Sequence, residues 1–390
     1  MQGVVFALVA TAFLTVYVTQ PVLPILRAEF AVTPAVASLT ISAVVLGIAL
    51  ANLPFGVLAD RFPIRPIVLG GGCVVALASV ACAATRRIDL LIAARFVQGL
   101  FIPSVTTCLA AYLSRTLPPA RLNVVMGWYV SATVTGGMGG RLLGGFVFPA
   151  AHWRLAFVAA AVLVGGAVLA AQRWLPRDQG HGARDPDAAG FLALLARPEL
   201  SRMFAVGFFA FFVFSAVFNY LPFYLAGPPL NASVRLITLM YLAYLVGILA
   251  GPFSGSLIVR WGTGPTLLAG CALFGLAIAL TLVPSLPVIA LSLALVCGGF
   301  FAMHAGAVGS LNGRLSGSRG RANSLYVLLY YLGGAAGISA TGVAYARFGW
   351  PGAAALGGLA LLVSSGIGVL EIRAARRPLH DALRRPAPPM

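Results

Sequence analysis

Twelve apolar stretches, each close to the length of a membrane-spanning helix, restrict how this chain can fold. A helix needs ~20 mostly apolar residues to cross ~30 Å of hydrocarbon, because it rises 1.5 Å per residue. Since 60% of the residues are hydrophobic and 9% are charged, a soluble core could not bury them. The sequence therefore predicts an all-α membrane protein. The twelve spans are predicted at 4–26, 36–58, 66–84, 90–113, 123–147, 153–173, 203–225, 236–258, 266–283, 288–312, 323–345 and 350–370.

The arginines are distributed unevenly between the two sides of this bundle. With the N-terminus inside, the cytoplasmic segments carry 18 of the 26 arginines, the opposite side six, and the spans two, Arg95 and Arg141. An excess of basic residues is typical of cytoplasmic loops. Because twelve is even, both termini are predicted to be cytoplasmic.

Landmarks that recur at a nearly constant offset predict two similar halves. The segment after span 2, beginning at Gly56, recurs after span 8 at Gly255, and Arg121 before span 5 recurs as Arg321 before span 11. Parallel repeats of this kind are one transporter plan, with the substrate site between the halves. The predicted regions are an N-terminal six-helix half at 1–173, a cytoplasmic linker at 174–202, a C-terminal six-helix half at 203–372 and a cytoplasmic tail at 373–390.

Several classes of protein are disfavoured by missing chemistry. The net charge of +17 is not gathered on a folded polar domain, so a nucleic-acid partner is not expected. The chain has no lysine and hence no G-x-x-x-x-G-K-[ST] for an ATP-driven pump. An intramembrane enzyme would need motifs such as H-E-x-x-H or G-x-S-x-G, which are missing, and an intramembrane sensor would need a signalling domain. No metal site and no cofactor are expected.

A polar cluster closes span 2, in the pattern Gly56-x-x-x-Asp60-Arg61-x-x-x-Arg65. Gly56 would let a neighbouring helix approach, and Arg61 and Arg65 would face the last carbonyls and the anionic head groups. Asp60 would pair with an arginine or a helix N-terminus and hold the two halves closed as a gate. The cluster resembles the loop 2–3 signature of the major facilitator superfamily, G-x-x-x-D-R-x-G-R-[RK], with Pro63 in place of a glycine and Pro66 where a basic residue is usual.

Span 4 carries a second motif of that family. Leu91-Ile-Ala-Ala-Arg95-Phe-Val-Gln98-Gly99 resembles its L-x-x-x-R-x-x-Q-G pattern. An arginine inside a membrane helix is costly and suggests a functional site. Two interpretations of Arg95 are open: a functional role in coupling, or a structural role in which it snorkels to the helix end or binds backbone carbonyls.

Span 5 carries the third motif. The glycines Gly136, Gly140 and Gly144, with Arg141 after the second, resemble the family's G-x-x-x-G-P-x-x-G-G pattern, which is associated with export. Glycines four residues apart let two helices touch backbone to backbone, either as packing alone or as a hinge or seal. Arg141 replaces the proline of the motif, and it could bind an anionic substrate, pair with an acidic group or snorkel outward.

The resemblance covers the whole chain and is strongest to bacterial twelve-span export proteins of the drug:proton antiporter type, some of them named arabinose efflux permeases. It implies a monomeric secondary transporter that exports a small organic molecule across the bacterial inner membrane by alternating access, in exchange for protons. An uptake carrier or facilitator is the alternative. Membrane lipid, a small-molecule substrate and protons are the predicted partners.

No carboxylate lies in the middle of any span, so the sequence does not identify the proton carrier. His304 in span 10 is the mid-span group that titrates near neutrality, and either packing or coupling could explain it. On span 7, Phe208, Phe212, Ser215 and Asn219 share one helical stripe. The candidate substrate-binding residues are Tyr17, Gln20, Gln98, Arg141, Phe212, Asn219, Tyr241, Tyr244, His304, Tyr326 and Tyr330. The candidate coupling and gating residues are Gly56, Asp60, Arg61, Arg65, Arg95, Gly136, Gly140 and Gly144.

Two properties of this predicted cavity point to different ligands. An aromatic wall suits apolar or cationic aromatic molecules, although phenylalanines can equally face lipid and tyrosines can lie in interfacial belts. Two arginines without a carboxylate disfavour cations electrostatically. Neutral or anionic substrates are therefore ranked slightly higher.

Overall fold

The computed structural model describes residues 2–147, 152–176, 190–247, 257–258, 260–315 and 318–384. Regular structure in these ranges is helical throughout. The first half consists of α1 to α6: Gln2–Glu29, Pro34–Arg61, Ile64–Ala84, Ile88–Thr116, Pro119–Leu142 and Trp153–Trp174. The second half consists of α7 to α12: Pro198–Ala226, Val234–Gly247, Thr263–Leu280, Leu286–Gly313, 319–348 and 350–384.

Nine helices of the described chain are long and apolar enough to cross a membrane. One of them, Arg319–Ala375, is a pair, because Gly349 at φ 62° and ψ −151° separates α11 from α12. The helices that complete the twelve are Pro119–Leu142, which is enriched in glycine, and Val234–Gly247. Residues 248–256 are outside the described residues. The all-α, twelve-helix prediction is confirmed.

The segment between the halves contains one short helix, Phe191–Leu195, in which Leu194 is buried and Leu192 is exposed. At the other end of the second half, α12 continues beyond 372 to Arg384, through alanines, arginines and leucines that favour helix. Three predicted features fall outside the described residues: positions 177–189 of the linker, the repeat landmark at Gly255, and positions 385–390 of the tail.

Helix α1 is interrupted near its middle. Its first part ends at Tyr17, Gln20–Val22 forms a 3-10 turn, and Leu23–Glu29 continues the span. Pro21 lacks the N–H that would continue the helical hydrogen bonds. The turn carries Gln20, which is buried inside the bundle, to the boundary between the halves.

The close packing of α1 on α5 is repeated in the second half by α7 on α11. A Cβ on Gly140 would lie 2.1 Å from the carbonyl oxygen of Leu14, and a Cβ on Gly337 would lie 2.1 Å from that of Phe212. Gly337 follows Gly140 by 197 residues, so the internal repeat extends to individual backbone contacts. The other glycines of the two rows make equivalent contacts: Gly136 with Ala10, Gly144 with Val18, and Gly333 with Phe208.

The halves meet along α2 and α11. Ser42 Oγ donates a hydrogen bond to the Ala335 carbonyl at 3.3 Å, and Asn52 Nδ2 donates to the Ser324 carbonyl at 3.3 Å. Ten residues of helix separate Ser42 from Asn52, which corresponds to about 15 Å along the axis. The contact therefore runs along much of both helices.

Among the described residues, the buried apolar core is shared between the halves at one end of the bundle. One apolar cluster combines Leu23 and Ile41, near the α1–α2 turn, with Phe214 and Leu221 of α7. The buried members of the second cluster, which lies towards the α2–α3 turn and includes Val68, belong to the first half alone. In this conformation the halves are thus packed together most extensively at the α1–α2 end.

Candidate substrate cavity between the two halves

A small cavity lies between α1, α2 and α5 of the first half and α7, α8 and α11 of the second. It has about 10 Å³ of space, room for about one water molecule. The lining combines polar groups, mainly from the first half, with aromatic rings, mainly from the second. The lining residues are Tyr17, Gln20, Ile41, Val45, Arg141, Phe211, Phe214, Ser215, Phe218, Tyr244 and Ile338.

Arg141, in the last turn of α5, is the charged group of this cavity and is 1% exposed. Its Nε donates to Gln20 Oε1 at 2.7 Å, its Nη1 to the Gly137 carbonyl at 2.9 Å, and its Nη2 to Tyr244 Oη at 2.7 Å. Each guanidinium nitrogen therefore has one acceptor, and every acceptor is neutral. Because Tyr244 lies on α8, the last bond joins the two halves.

Three tyrosine rings surround the Arg141 guanidinium. Its Cζ lies 4.0 Å from the ring centroid of Tyr17, 4.2 Å from that of Tyr244 and 5.1 Å from that of Tyr241. Aromatic faces attract cations, and more strongly where water is excluded. Tyr241 is held in place because its hydroxyl donates to the Phe218 carbonyl at 3.0 Å. The rings replace part of the hydration that the cation loses on burial.

The carboxylates whose side chains are described lie away from Arg141. The chain has nine, none inside the central part of a span. The five whose side chains are described each pair with another arginine near a helix end: Glu29 with Arg154, Asp60 with Arg115, Asp89 with Arg87, Glu199 with Arg197, and Glu371 with Arg202 and Arg314. Arg141 is thus buried without a negative partner among the described side chains.

The second half supplies an aromatic wall. Ring centroids lie 3.9 Å apart for the stacked pair Phe211 and Tyr330, and 4.7 Å apart for Phe218 and Tyr244. Phe214 stacks on Phe300 of α10 at 3.9 Å. The cavity is therefore amphipathic, with one cation beside an apolar, aromatic surface.

Comparisons with known proteins identify the family. The Major Facilitator Superfamily profile matches residues 5–338 and, in a second alignment, residues 228–388. The chain belongs to this superfamily. It is 29% identical over 370 residues to the inner membrane transport protein YnfM of Escherichia coli (strain K12), covering 91% of this chain and 86% of that protein. It is 27% identical over 390 residues to the uncharacterized MFS-type transporter YybF of Bacillus subtilis (strain 168), covering 97% and 95%.

A solved member of the superfamily has the same fold. A bacterial homolog to the human lysosomal transporter Spinster, in an inward-facing and occupied conformation, superimposes with a TM-score of 0.73 at 17% sequence identity, covering 100% of this chain and 98% of that one. Membership in the superfamily makes this protein a membrane transporter of small molecules and not an enzyme. Its bacterial relatives are consistent with an inner-membrane location.

Only part of the helical stripe that the sequence pattern predicted on α7 faces the cavity in the structure. Ser215 of that stripe lines the cavity, but Phe208, Phe212 and Asn219 do not. The phenylalanines of α7 in the lining are Phe211, Phe214 and Phe218. The backbone at Phe208 and Phe212 is covered by Gly333 and Gly337 of α11, which turns the neighbouring stripe towards the cavity. Asn219 is fully buried, and neither Oδ1 nor Nδ2 has a hydrogen-bond partner in the described structure.

His304 of α10 lies behind the cavity and not in its lining. Its Nδ1 lies 3.0 Å from Tyr326 Oη, and its ring centroid is 5.2 Å from that of Tyr330. Tyr330 in turn stacks on Phe211, which does line the cavity. These three predicted residues therefore form one layer supporting the aromatic wall.

Arg95 of the superfamily's span-4 motif lies inside the first half, away from the cavity. Its Nε donates to the Thr40 carbonyl at 2.9 Å and its Nη1 to the Thr15 carbonyl at 2.6 Å, and Nη2 donates to the Val16 carbonyl. Thr15 and Val16 end the first part of α1, where carbonyls lack helical donors. The geometry favours the structural interpretation, in which Arg95 stabilises the interruption of α1. Gln98 accepts from Arg95 and donates to Ser79, so it too lies outside the cavity.

The superfamily's loop 2–3 cluster makes an ion pair within one half. Arg115 Nη2 lies 2.8 Å from Asp60 Oδ1, and both residues belong to the first half. The expected arginine partner is present, but the pair does not hold the halves together in this conformation. Arg65 Nη2 donates to the Gln172 carbonyl of α6, whereas Arg61 is exposed. The expectation that Gly56 admits a close helix was wrong, because a Cβ there would meet nothing within 4 Å.

Of the predicted binding residues, Tyr17, Gln20, Arg141 and Tyr244 line the cavity, and Tyr241 packs on Arg141. The sequence patterns did not single out Phe211, Phe214 and Phe218, because phenylalanines occur on every side of α7. The sequence does contain a signal for the orientation of α7, in the glycine row of α11. Gly333 and Gly337 follow Gly136 and Gly140 at the same offset of 197 residues. Aligning the rows would have assigned Phe208 and Phe212 to the packed face of α7.

Proposed function

We propose that this protein is a secondary transporter that exports a small organic molecule across the inner membrane by alternating access, coupled to proton entry. The observation that carries the proposal is the cavity between the halves, to which both contribute side chains. The Arg141–Tyr244 hydrogen bond crosses that boundary, so a ligand at Arg141 contacts both halves at once. Rocking of one half against the other around a fixed site is the general mechanism of such folds.

Export is supported by the span-5 motif. Gly136, Gly140 and Gly144 pack directly on the backbone of α1, beside the cavity, in the arrangement that the superfamily associates with exporters. Proton coupling is supported by the resemblance to drug:proton antiporters. His304, connected to the cavity through Tyr330, is the candidate proton-carrying group.

A facilitator or exchanger is the second candidate. It is favoured by the position of the carboxylates, because the described ones pair with arginines at helix ends and none lines the cavity. Such a carrier would move its substrate down its own gradient without using protons.

Transport in proteoliposomes distinguishes the two candidates. Protein reconstituted with a panel of dyes, sugars and organic anions should show counterflow of a bound compound, and an imposed pH gradient should accelerate it in the export direction. His304→Gln should then abolish the response to the gradient and leave counterflow intact. Wild-type counterflow at the same rate with and without the pH gradient would establish the facilitator or exchanger. Absence of counterflow for every compound of the panel would count against transport through this cavity.

A further inference from the structure

The guanidinium edge of Arg141 that faces movable side chains defines a ligand site. Nε and Nη2 form one edge of the planar group, and their acceptors are the side chains of Gln20 and Tyr244. The remaining nitrogen, Nη1, is bound to a backbone carbonyl of the same helix, at Gly137. We propose that Arg141 binds the carboxylate of an organic anion along the Nε–Nη2 edge, and that the transported molecules carry an aromatic or apolar body. This proposal rests on the proposed transport function and specifies its substrate class.

The first argument concerns charge. A buried cation that has only neutral acceptors keeps much of its desolvation cost. A carboxylate would offer two oxygens in the spacing of the Nε–Nη2 edge, and such charge-assisted pairs are about twice as strong as neutral hydrogen bonds. None of the described acidic side chains reaches that edge, since each of them is engaged by another arginine. The missing counter-charge is therefore assigned to the ligand.

The second argument concerns the ligand body. Next to Arg141, the cavity lining is apolar: Phe211, Phe214 and Phe218 from α7 face it together with Ile41 and Val45 from α2. Aromatic rings pack favourably on such a wall in offset or edge-to-face geometry. An amphipathic anion satisfies both parts of the site, whereas an organic cation would meet a positive charge at short range.

The third argument links binding to the movement of the halves. An anion on Nε and Nη2 replaces Tyr244 as the acceptor, and this breaks the hydrogen bond between α5 and α8. Gln20, in the interruption of α1, is released in the same step. Ligand binding therefore removes a direct contact between the halves. Removing the Tyr244 hydroxyl should accordingly favour the anion, because one competing acceptor is gone.

Binding to the full-length protein in detergent tests the proposal without any transport step. The probes are naphthalene-2-carboxylate and its neutral counterpart naphthalene-2-carboxamide, measured by calorimetry and by thermal stabilisation. We expect the carboxylate to bind the wild-type protein, and Arg141→Gln to weaken it by about 10- to 100-fold with little effect on the carboxamide. Arg141→Lys should recover part of the loss, because the charge remains and the planar edge does not. Tyr244→Phe should bind the carboxylate more tightly, and the exposed Arg87→Gln should behave as wild type.

Two results would overturn the anion site: equal carboxylate binding by wild type and Arg141→Gln, or wild-type protein that binds the carboxamide but not the carboxylate. Absence of binding for both probes would overturn the aryl carboxylate class as well. The transport proposal is judged separately. If the carboxylate binds but no counterflow is seen, the anion site stands and the transport proposal is rejected. If neutral compounds show counterflow and Arg141→Gln transports them as fast as the wild type, the transport proposal stands and the anion site is rejected.

Discussion

The two arginines buried within the helices satisfy their donors in different ways. Arg95 is surrounded by backbone carbonyls of α1 and α2, all in one half, and backbone cannot move away without unfolding. Arg141 is bound chiefly by side chains, one from each half, which can rotate to other positions. The same residue type is therefore held mainly by backbone in one place and mainly by rotatable side chains in the other.

Replacing Arg95 should destabilise the protein. Arg95→Met would leave the carbonyls of Thr15 and Val16, at the end of the first part of α1, buried without donors, and each such group costs ~1–3 kcal/mol. We expect a loss of at least about 2 kcal/mol, seen as a lower apparent Tm in detergent. The matched control is Arg87→Met, which removes an arginine from an exposed ion pair with Asp89 and should leave the Tm unchanged. The same apparent Tm for Arg95→Met and Arg87→Met would show that Arg95 does not stabilise the interruption of α1.

At the scale of helices, the two glycine rows make the same backbone contact in the two halves. The α5 row touches α1 and the α11 row touches α7, with nearly identical distances. Only the α5 row belongs to the motif that the superfamily associates with export. Close packing is therefore common to both glycine rows. Any effect on the direction of transport must come from a feature that α5 alone has, such as Arg141 beside Gly140.

Adjacent glycines in α5 provide a matched pair for testing this contact. A Cβ on Gly140 would lie 2.1 Å from the Leu14 carbonyl oxygen, whereas a Cβ on Gly139 would lie 3.8 Å from its nearest neighbour, Leu14 Cδ1. Gly140→Ala should therefore push α1 away and lower the Tm and counterflow, while Gly139→Ala should change neither. Thermal unfolding and counterflow are the measurements, with Gly337→Ala as the equivalent change in the second half. A Gly140→Ala variant as stable and active as Gly139→Ala would argue against the backbone contact.

The sequence predicted the positions of individual helices in the chain better than it predicted how those helices pack against one another. Twelve spans follow from apolar length, and Tyr17, Gln20, Arg141 and Tyr244 follow from polar or aromatic groups in membrane helices. The rotation of α7 about its own axis does not follow, because eight phenylalanines on the helix leave its apolar periodicity without a preferred direction. The partner of Asp60 could be predicted as an arginine, but its position in the same half depends on the packing of α2 on α4, which sequence spacing does not encode.

At the scale of the whole molecule, the arginine asymmetry predicts which side each loop faces. The turn between α7 and α8, at Asn231, should lie outside the cytoplasm, and the C-terminus should lie inside it. Reporter fusions active on only one side of the membrane, placed at Asn231 and after the last residue, should therefore give opposite signals. Equal signals from the two fusions would contradict the orientation and the even number of spans.

Alternating access requires the halves to separate at the α1–α2 end, where this conformation holds them together. Ser42 of α2 and Ser339 of α11 lie on opposite sides of that contact, with their Oγ atoms 3.5 Å apart. In a background without the five native cysteines, a Ser42→Cys, Ser339→Cys pair should form a disulfide under oxidation, because the sulfur atoms would lie within reach. The bond should abolish counterflow, and a reducing agent should restore it. The control is a Gly72→Cys, Val168→Cys pair within the first half, which should leave counterflow unchanged when oxidised. A Cβ on Gly72 of α3 would lie 3.9 Å from Val168 Cβ of α6, within the distance that a disulfide requires. Counterflow that persists with the Ser42–Ser339 positions cross-linked would mean that substrate passes without separation of the halves at that end.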